Sequence, residues 1–287
     1  MKTLQTAILD EAMPDGRFII MNLKKSCEKK KLKQVLNLLT IDEYIVIGFG
    51  KNLLNRLGIK LAPYREFPTL DAQVKIPATH GDIFVFIRDQ EPGKVAIRCL
   101  QVMNILSGCF ELQLQVNGFR YLAKPDQNGH DLTGYEDGTE NPTDNDAINA
   151  VTREDGSCFV VVQQWLHDLN EFNGFSQKQK DHTIGRSLSD NKELEDAPAS
   201  SHVNRSDQGT FEIDADILRR SMPFSDESGD GLMFLAYCEN LDRFEVQMKR
   251  MAGLVDGIVD ALFTFSQPIN SAYFYCPATE EGRLIIK

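Results

Sequence analysis

Gly231-Leu232-Met233-Phe234-Leu235-Ala236-Tyr237-Cys238 is an uninterrupted apolar run opened by glycine and followed by Glu239-Asn240. A run this short suits a strand buried on both faces and is too short to span a membrane. Behind it, Phe244, Met248, Met251 and Val255 recur at i, i+4, i+7 and i+11, which predicts a long amphipathic helix. Residues 271–276 (SAYFYC) close the segment as another strand. Ahead of it, residues 159–162 (FVVV) read as a strand, residues 165 to about 180 as a helix, and residues 217–222 as a strand edge. The order of these elements is βαββαβ.

The first half of the chain repeats that order. Residues 17–22 (RFIIMN) form a short apolar run, and Leu32, Val35, Leu36 and Leu39 share one helical face. Residues 44–49 are β-branched and aromatic and stop at Gly50. Past a loop holding Pro63, Pro68 and Pro77, residues 83–87 (IFVFI) read as a buried strand. A second helix follows Pro92, with Ala96, Leu100 and Met103 on one side. Leu112, Leu114 and Val116 then alternate with Glu111, Gln113 and Gln115, as in a half-buried strand. Two βαββαβ halves predict an α+β protein of tandem ferredoxin-like domains, each with an antiparallel sheet and helices on one face. We place the N-terminal domain at residues 1–140 and the C-terminal domain at 150–287, joined by a polar link at about 124–155.

The 287 residues, 42% hydrophobic and 25% charged, suffice for one large or two modest cores. A net charge of -11 repels nucleic acid and anionic membranes, so neither is expected as a partner. The one basic run, Lys24 to Lys33, reads as the exposed face of a helix. None of the six cysteines forms a C-x-x-C pair and several sit in apolar runs, which predicts buried free thiols in a reducing compartment. Residues 1–20 lack a basic start followed by an apolar stretch. The expectation is a cytoplasmic protein.

Three polar segments stand apart from this pattern. The first is Gly134-Tyr135-Glu136-Asp137-Gly138-Thr139-Glu140-Asn141-Pro142. Its glycines permit φ > 0 or a close approach, and Asn141 before proline is pushed toward extended backbone. Alone it reads as a solvated turn. It also misses the spacing, glycine and terminal glutamate of a calcium loop. The second segment, residues 184–205, is loop-like for longer than a mere connection needs and contains His202. The other histidines are His80, His130, His167 and His182, and none has zinc-site spacing. A lone histidine is usually a surface or core residue, yet it suffices for a haem, whose porphyrin supplies four nitrogens. In the third segment, Leu218-Arg219-Arg220-Ser221-Met222-Pro223-Phe224, an extended strand would put Arg219 and Ser221 on one face and Arg220 on the other.

Together these segments resemble the dye-decolourising peroxidases, in particular the short cytoplasmic B-type branch. The G-x-x-D-G loop, I-G-R, S-H-V-x-R, L-R-R-S-M-P-F, G-L-M-F-L-A-Y and A-Y-F-Y-C-P occur in the family's order and cover most of the chain. The resemblance implies one haem b per chain, held mainly by the second domain, and reduction of hydrogen peroxide at the expense of small aromatic reductants. It implies His202 as the proximal iron ligand, Asp137 as the distal carboxylate, Arg219 as the distal arginine and Ser221 as a third distal polar group. Arg186 is implied as a propionate partner, with Gly138, Thr139 and Phe234 around the cofactor. An acidic residue orients the proximal imidazole; Asp260 is our choice and Asp256 the rival. The family also implies a homo-oligomer, at least a dimer, and no long encapsulation tail is expected after the last strand.

A carboxylate near both oxygens of a peroxide can take a proton from one and return it to the other. An arginine stays cationic and stabilises charge that builds as the O–O bond breaks. Trp165 and the tyrosines could relay oxidising equivalents, although most read as core aromatics. Two alternatives stay open on the sequence alone. One is a haem-handling carrier, sensor or chelatase; the other is a haem-free protein binding a small ligand between sheets.

Overall fold

The computed structural model describes residues 2–10, 13–123 and 128–286, so residues 124–127 of the expected link lie outside the described residues. The N-terminal half contains β1 (Asp15–Leu23), α1 (Lys29–Leu38), β2 (Ile45–Phe49), α2 (Lys51–Leu57), β3 (Ile83–Asp89), α3 (Pro92–Leu106) and β4 (Phe110–Phe119). Its strands pair antiparallel in the order β4-β1-β3-β2. After α4 (Asp144–Val151), the C-terminal half contains β5 (Cys158–His167), α5 (Leu169–Gly174), α6 (Gln177–Ile184), α7 (His202–Ser206), β6 (Leu218–Arg219), β7 (Met222–Asp226), β8 (Gly229–Cys238), α8 (Asp242–Met251) and β9 (Ser266–Cys276). Its order is β9-β5-β8-β6, with β7 also paired to β8. Each half thus has the ferredoxin-like order 4-1-3-2, and the tandem α+β expectation is met.

A single pair, Tyr275 with Phe49, joins β9 to β2 and makes one nine-stranded sheet of the two halves. Alternation along each strand sends side chains to both faces. Phe18, Ile20 and Phe84 from the first half pack with Val160, Val162 and Phe274 from the second, Phe84 and Phe274 stacking at 5.4 Å. The intervening residues, such as Ile19, Met21, Phe159 and Val161, lie in the cluster that also holds Leu32 of α1, Val102 of α3 and Met248 of α8. Both faces of the strands are therefore buried, which accounts for their continuous apolar runs.

Several local expectations are corrected. Trp165 belongs to β5 and not to a helix: it pairs with Leu232 of β8 and Pro268 of β9, so pairing on both edges extends the strand. The helices begin only at Leu169. On α3 the buried face is Val95, Cys99, Val102 and Leu106, one residue earlier than the expected stripe, and Leu100 is exposed. α8 stops at Met251, leaving Val255 in solvent. Leu112, on the edge strand β4, is also exposed. Cys27 and Cys109 form a disulfide across 5.1 Å between Cα atoms, contrary to the expectation of six free thiols. Pairing of Leu23 with Phe110 brings their segments together across 82 residues of sequence. Cys99, Cys158, Cys238 and Cys276 are free and buried as expected. Among the described residues no helix is long and apolar enough to cross a membrane.

Candidate active site

A cavity of about 710 Å³ lies in the C-terminal half and is lined by all but two of the expected site residues, Asp260 and Ser221. On one wall, α7 opens with Ser201 as its N-cap and His202 in its first turn. The preceding I-G-R segment makes this possible. Gly185 has φ +98° and ends α6, and a Cβ there would meet Val203 and Ser201 at 2.9–3.3 Å. Only glycine combines that φ with so close an approach. His202 Nδ1 bonds Asp260 Oδ2 at 2.8 Å, and Asp260 Oδ1 accepts from the Leu262 amide at 2.8 Å. The deeply buried Asp260 therefore stands behind His202 and serves both as a helix cap and as the orienter of the imidazole. Asp256 instead chelates Arg205 at 2.7 and 2.8 Å, which removes it as the partner of His202. Burial pushes the imidazole pKa down, but the Asp260 carboxylate outweighs it and the net shift is upward.

Asp137 comes from the glycine-flanked loop. Its amide donates to Gly129 O at 2.9 Å, and Gly134 and Gly138 take φ +90° and +91°. Burial raises the Asp137 carboxyl pKa, Arg219 lowers it and the Asp131 carboxylate raises it again, with a net rise. Arg219 lies on the two-residue β6. Asn141 holds its backbone at both ends: Arg219 N–H donates to Asn141 Oδ1 at 2.8 Å, and Asn141 Nδ2 donates to Arg219 O at 3.1 Å. The Arg219 side chain lines the cavity, and among the described residues no carboxylate pairs with it.

Gly138, Thr139 and Phe234 also line the cavity, the Thr139 hydroxyl accepting from Asn191 Nδ2 at 2.9 Å. Arg186 lines it too, but one of its amino groups already meets Glu140 and Glu193, each at 2.6 Å. Ser221 falls outside the cavity. The Ser221 hydroxyl accepts from the Leu235 amide at 3.3 Å and faces a smaller adjoining chamber. Asp137 and Arg219 also border that chamber, so Ser221 meets them there and not in the main cavity.

The family model described as Dyp-type peroxidase, C-terminal, matches residues 128–281, and the one described as Dyp-type peroxidase, N-terminal, matches residues 44–120. The chain belongs to the Dyp-type peroxidase family. It is similar to a dye-decolorizing peroxidase of Rhodococcus erythropolis, 31% identical over 82% of this chain and 72% of the relative. A dye-decolorizing peroxidase of Mycolicibacterium paratuberculosis is 32% identical over 82% of this chain and 69% of its own. Among solved structures, a dye-decolorizing protein from V. cholerae superposes with TM-score 0.84 at 28% identity, over 96% of this chain and all of the other. DyPB from Rhodococcus jostii RHA1 gives 0.83 at 27% identity, over 95% of each chain.

In this Dyp-type peroxidase two polar groups of the cavity escaped the reading of the sequence. One is Asn141, visible there only as the residue before Pro142. The other is a chain of three side chains: Asp131 Oδ2 bonds His167 Nε2 at 3.1 Å, and His167 Nδ1 bonds Ser266 Oγ at 2.6 Å. Burial would raise the Asp131 carboxyl, but His167 and Thr133 hold it below the ordinary range. No spacing rule links residues 131, 167 and 266, so no sequence signal could have found them.

No group of three or more metal-ligating side chains exists among the described residues. His202 offers a single nitrogen, so a metal held there must bring its other ligands with it. Removing the Asn141 clamp tests its role. Asn141→Ala leaves two backbone groups of Arg219 without their partner and should cost about 2 kcal/mol of stability. Misplacing the guanidinium should slow the reaction with peroxide about 10-fold. A denaturant titration and a stopped-flow trace check the two effects separately.

Proposed function

We propose that this peroxidase holds one haem b in the cavity, with His202 as iron ligand, and uses hydrogen peroxide to oxidise small aromatic donors. The observation that carries the reading is the meeting of two polar sets in one cavity with apolar walls. The pair His202–Asp260 lies on one element set and Asp137 with Arg219 on another. The donor set fits: one imidazole oriented through Nδ1 has Nε2 left for a metal, and Leu232, Phe234, Met248 and Phe265 supply apolar wall. Rhodococcus jostii DypB variants, 27% identical, are known in complex with heme. When bound, haem supplies the redox-active iron and the site for peroxide.

The chain's own residues then divide the work. Asp137 takes a proton from one peroxide oxygen and returns it to the other, as a general base and then a general acid. Arg219 holds a fixed positive charge where negative charge develops. Asp260 keeps the proton of Nδ1 and so orients His202. Gly138, Thr139 and Phe234 shape the cofactor's surroundings. Arg186 meets a cofactor carboxylate once Glu140 or Glu193, both well exposed, swings away. A carrier has no use for an acid and a cation together beside its cofactor, so the enzyme reading is favoured over the haem-handling one.

We further assign the N-terminal domain to residues 1–140 and the C-terminal, haem-binding domain to 150–287; the two sheet orders support two domains, while the C-terminal family model already begins at residue 128. A homo-oligomer is supported by exposed Leu38, Ile97 and Leu100 on α1 and α3. A cytoplasmic setting is supported by the four free buried thiols, while the Cys27–Cys109 disulfide speaks against it. The function is tested by the absorption spectrum of the purified protein and by turnover with hydrogen peroxide and a phenol. A protein without a haem band, or one with haem but no turnover, defeats the reading.

The pH dependence follows from Asp137. Only its deprotonated form can take the first proton, so the peroxide step falls as pH drops through its pKa. Because burial raises that pKa, the midpoint should lie above the ordinary aspartate value of about 3.9. Stopped-flow rates across the acid range check this, and a flat profile removes Asp137 as the base.

A further inference from the structure

The smaller chamber, about 90 Å³, shares Asp137 and Arg219 with the main cavity. Arg88, Arg120 and Arg220 also line it, so four arginines border the chamber against one carboxylate, Asp137, in a chain of net charge -11. Arg88 and Arg120 have partners of their own, Arg88 reaching Asp10 at 3.8 Å. Arg220 is the informative one. Its amino groups donate only to the carbonyls of Arg219 and Leu9, both at 3.2 Å, and its Nε is buried without a partner among the described residues. Burial, and then the neighbouring Arg88 charge, oppose its cationic form and outweigh the attraction of Asp10. A buried cation whose donors meet neutral carbonyls alone is costly, and a nearby negative charge relieves that cost.

Ser221 adds a neutral donor. Its oxygen accepts the Leu235 amide, which leaves the hydroxyl proton to be donated elsewhere. The chamber's volume exceeds the roughly 10–15 Å³ that one water requires, yet it is too small for an aromatic acid.

We infer that this chamber is a binding site for a small monovalent inorganic anion, held by Arg220, the Arg219 guanidinium and the Ser221 hydroxyl. Anion binding there requires neither haem nor the proposed proton transfer, so it stands or falls separately from them. Bromide is the probe. Crystals of the haem-loaded protein soaked in sodium bromide should show an anomalous peak within hydrogen-bond reach of Arg220 and Ser221. In solution without peroxide, Tm should rise with bromide when ionic strength is kept constant with gluconate, an anion too large for the chamber. Arg220→Gln should weaken bromide at least about 10-fold, the loss of one charged hydrogen bond, and Ser221→Ala about 5-fold. If Arg220→Gln does not fold, Ser221→Ala and the anomalous map decide. Ordered water alone in the chamber, bromide only at the iron or the outer surface, or unchanged affinity in the variants overturns the inference.

Discussion

Arg219→Leu is expected to slow the reaction with hydrogen peroxide by about 10²–10³-fold, the usual cost of removing one donor aimed at developing charge. The loss should exceed that of Asp137→Ala, although moving a proton is itself worth about 10²–10⁴-fold. The difference lies in what can substitute. A short water chain can carry the proton in place of a missing carboxylate. No such reserve exists for the cation. Arg220 is tied to the carbonyls of Leu9 and Arg219 and lines only the small chamber. Asn141 meanwhile anchors the Arg219 backbone, so a leucine there leaves the strand in place and removes only the charge. Haem content should match the parent in both variants. Stopped-flow mixing with peroxide measures the step directly; an Arg219→Leu protein as fast as the parent beside a dead Asp137→Ala would reverse the assignment.

His202→Ala should emerge from purification with little haem, because it removes the imidazole assigned to the iron. His182, the other histidine in the same segment, lies 3.6 Å from Asp196 and does not line the cavity. Asp260→Asn should weaken haem retention by about 10–100-fold, the usual range for a residue that orients a metal-bound histidine. Asp256→Asn should leave haem unchanged and cost stability through Arg205, which is buried and would lose its carboxylate. Haem content and a competition assay with a haem acceptor separate the three. Full occupancy with an unchanged spectrum in His202→Ala would remove it as the ligand.

The sequence by itself determined the two βαββαβ halves, because burial on one or both faces of a strand or helix leaves a periodic trace that needs no partner to be read. Asp137, His202 and Arg219 became candidates for one chemistry only through the resemblance of their segments to a known family. Where periodicity was ambiguous it misled. An apolar stripe on α3 fits two adjacent faces, and Trp165 extends a strand because β8 and β9 pair with it from both sides. Other features have no local trace at all. The choice of Asp260 over Asp256, 58 residues from His202, rests on which carboxylate Arg205 had already taken. The grip of Asn141 on Arg219, 78 residues away, and the Cys27–Cys109 bond across 82 arise when loops are brought together by sheet pairing. Ser221 borders the small chamber and not the main cavity, a partition that no strand pattern records. Local backbone preference and burial are written residue by residue along the chain. The partner a side chain meets depends on strand register and on competition among neighbours, and these exist only in the folded state.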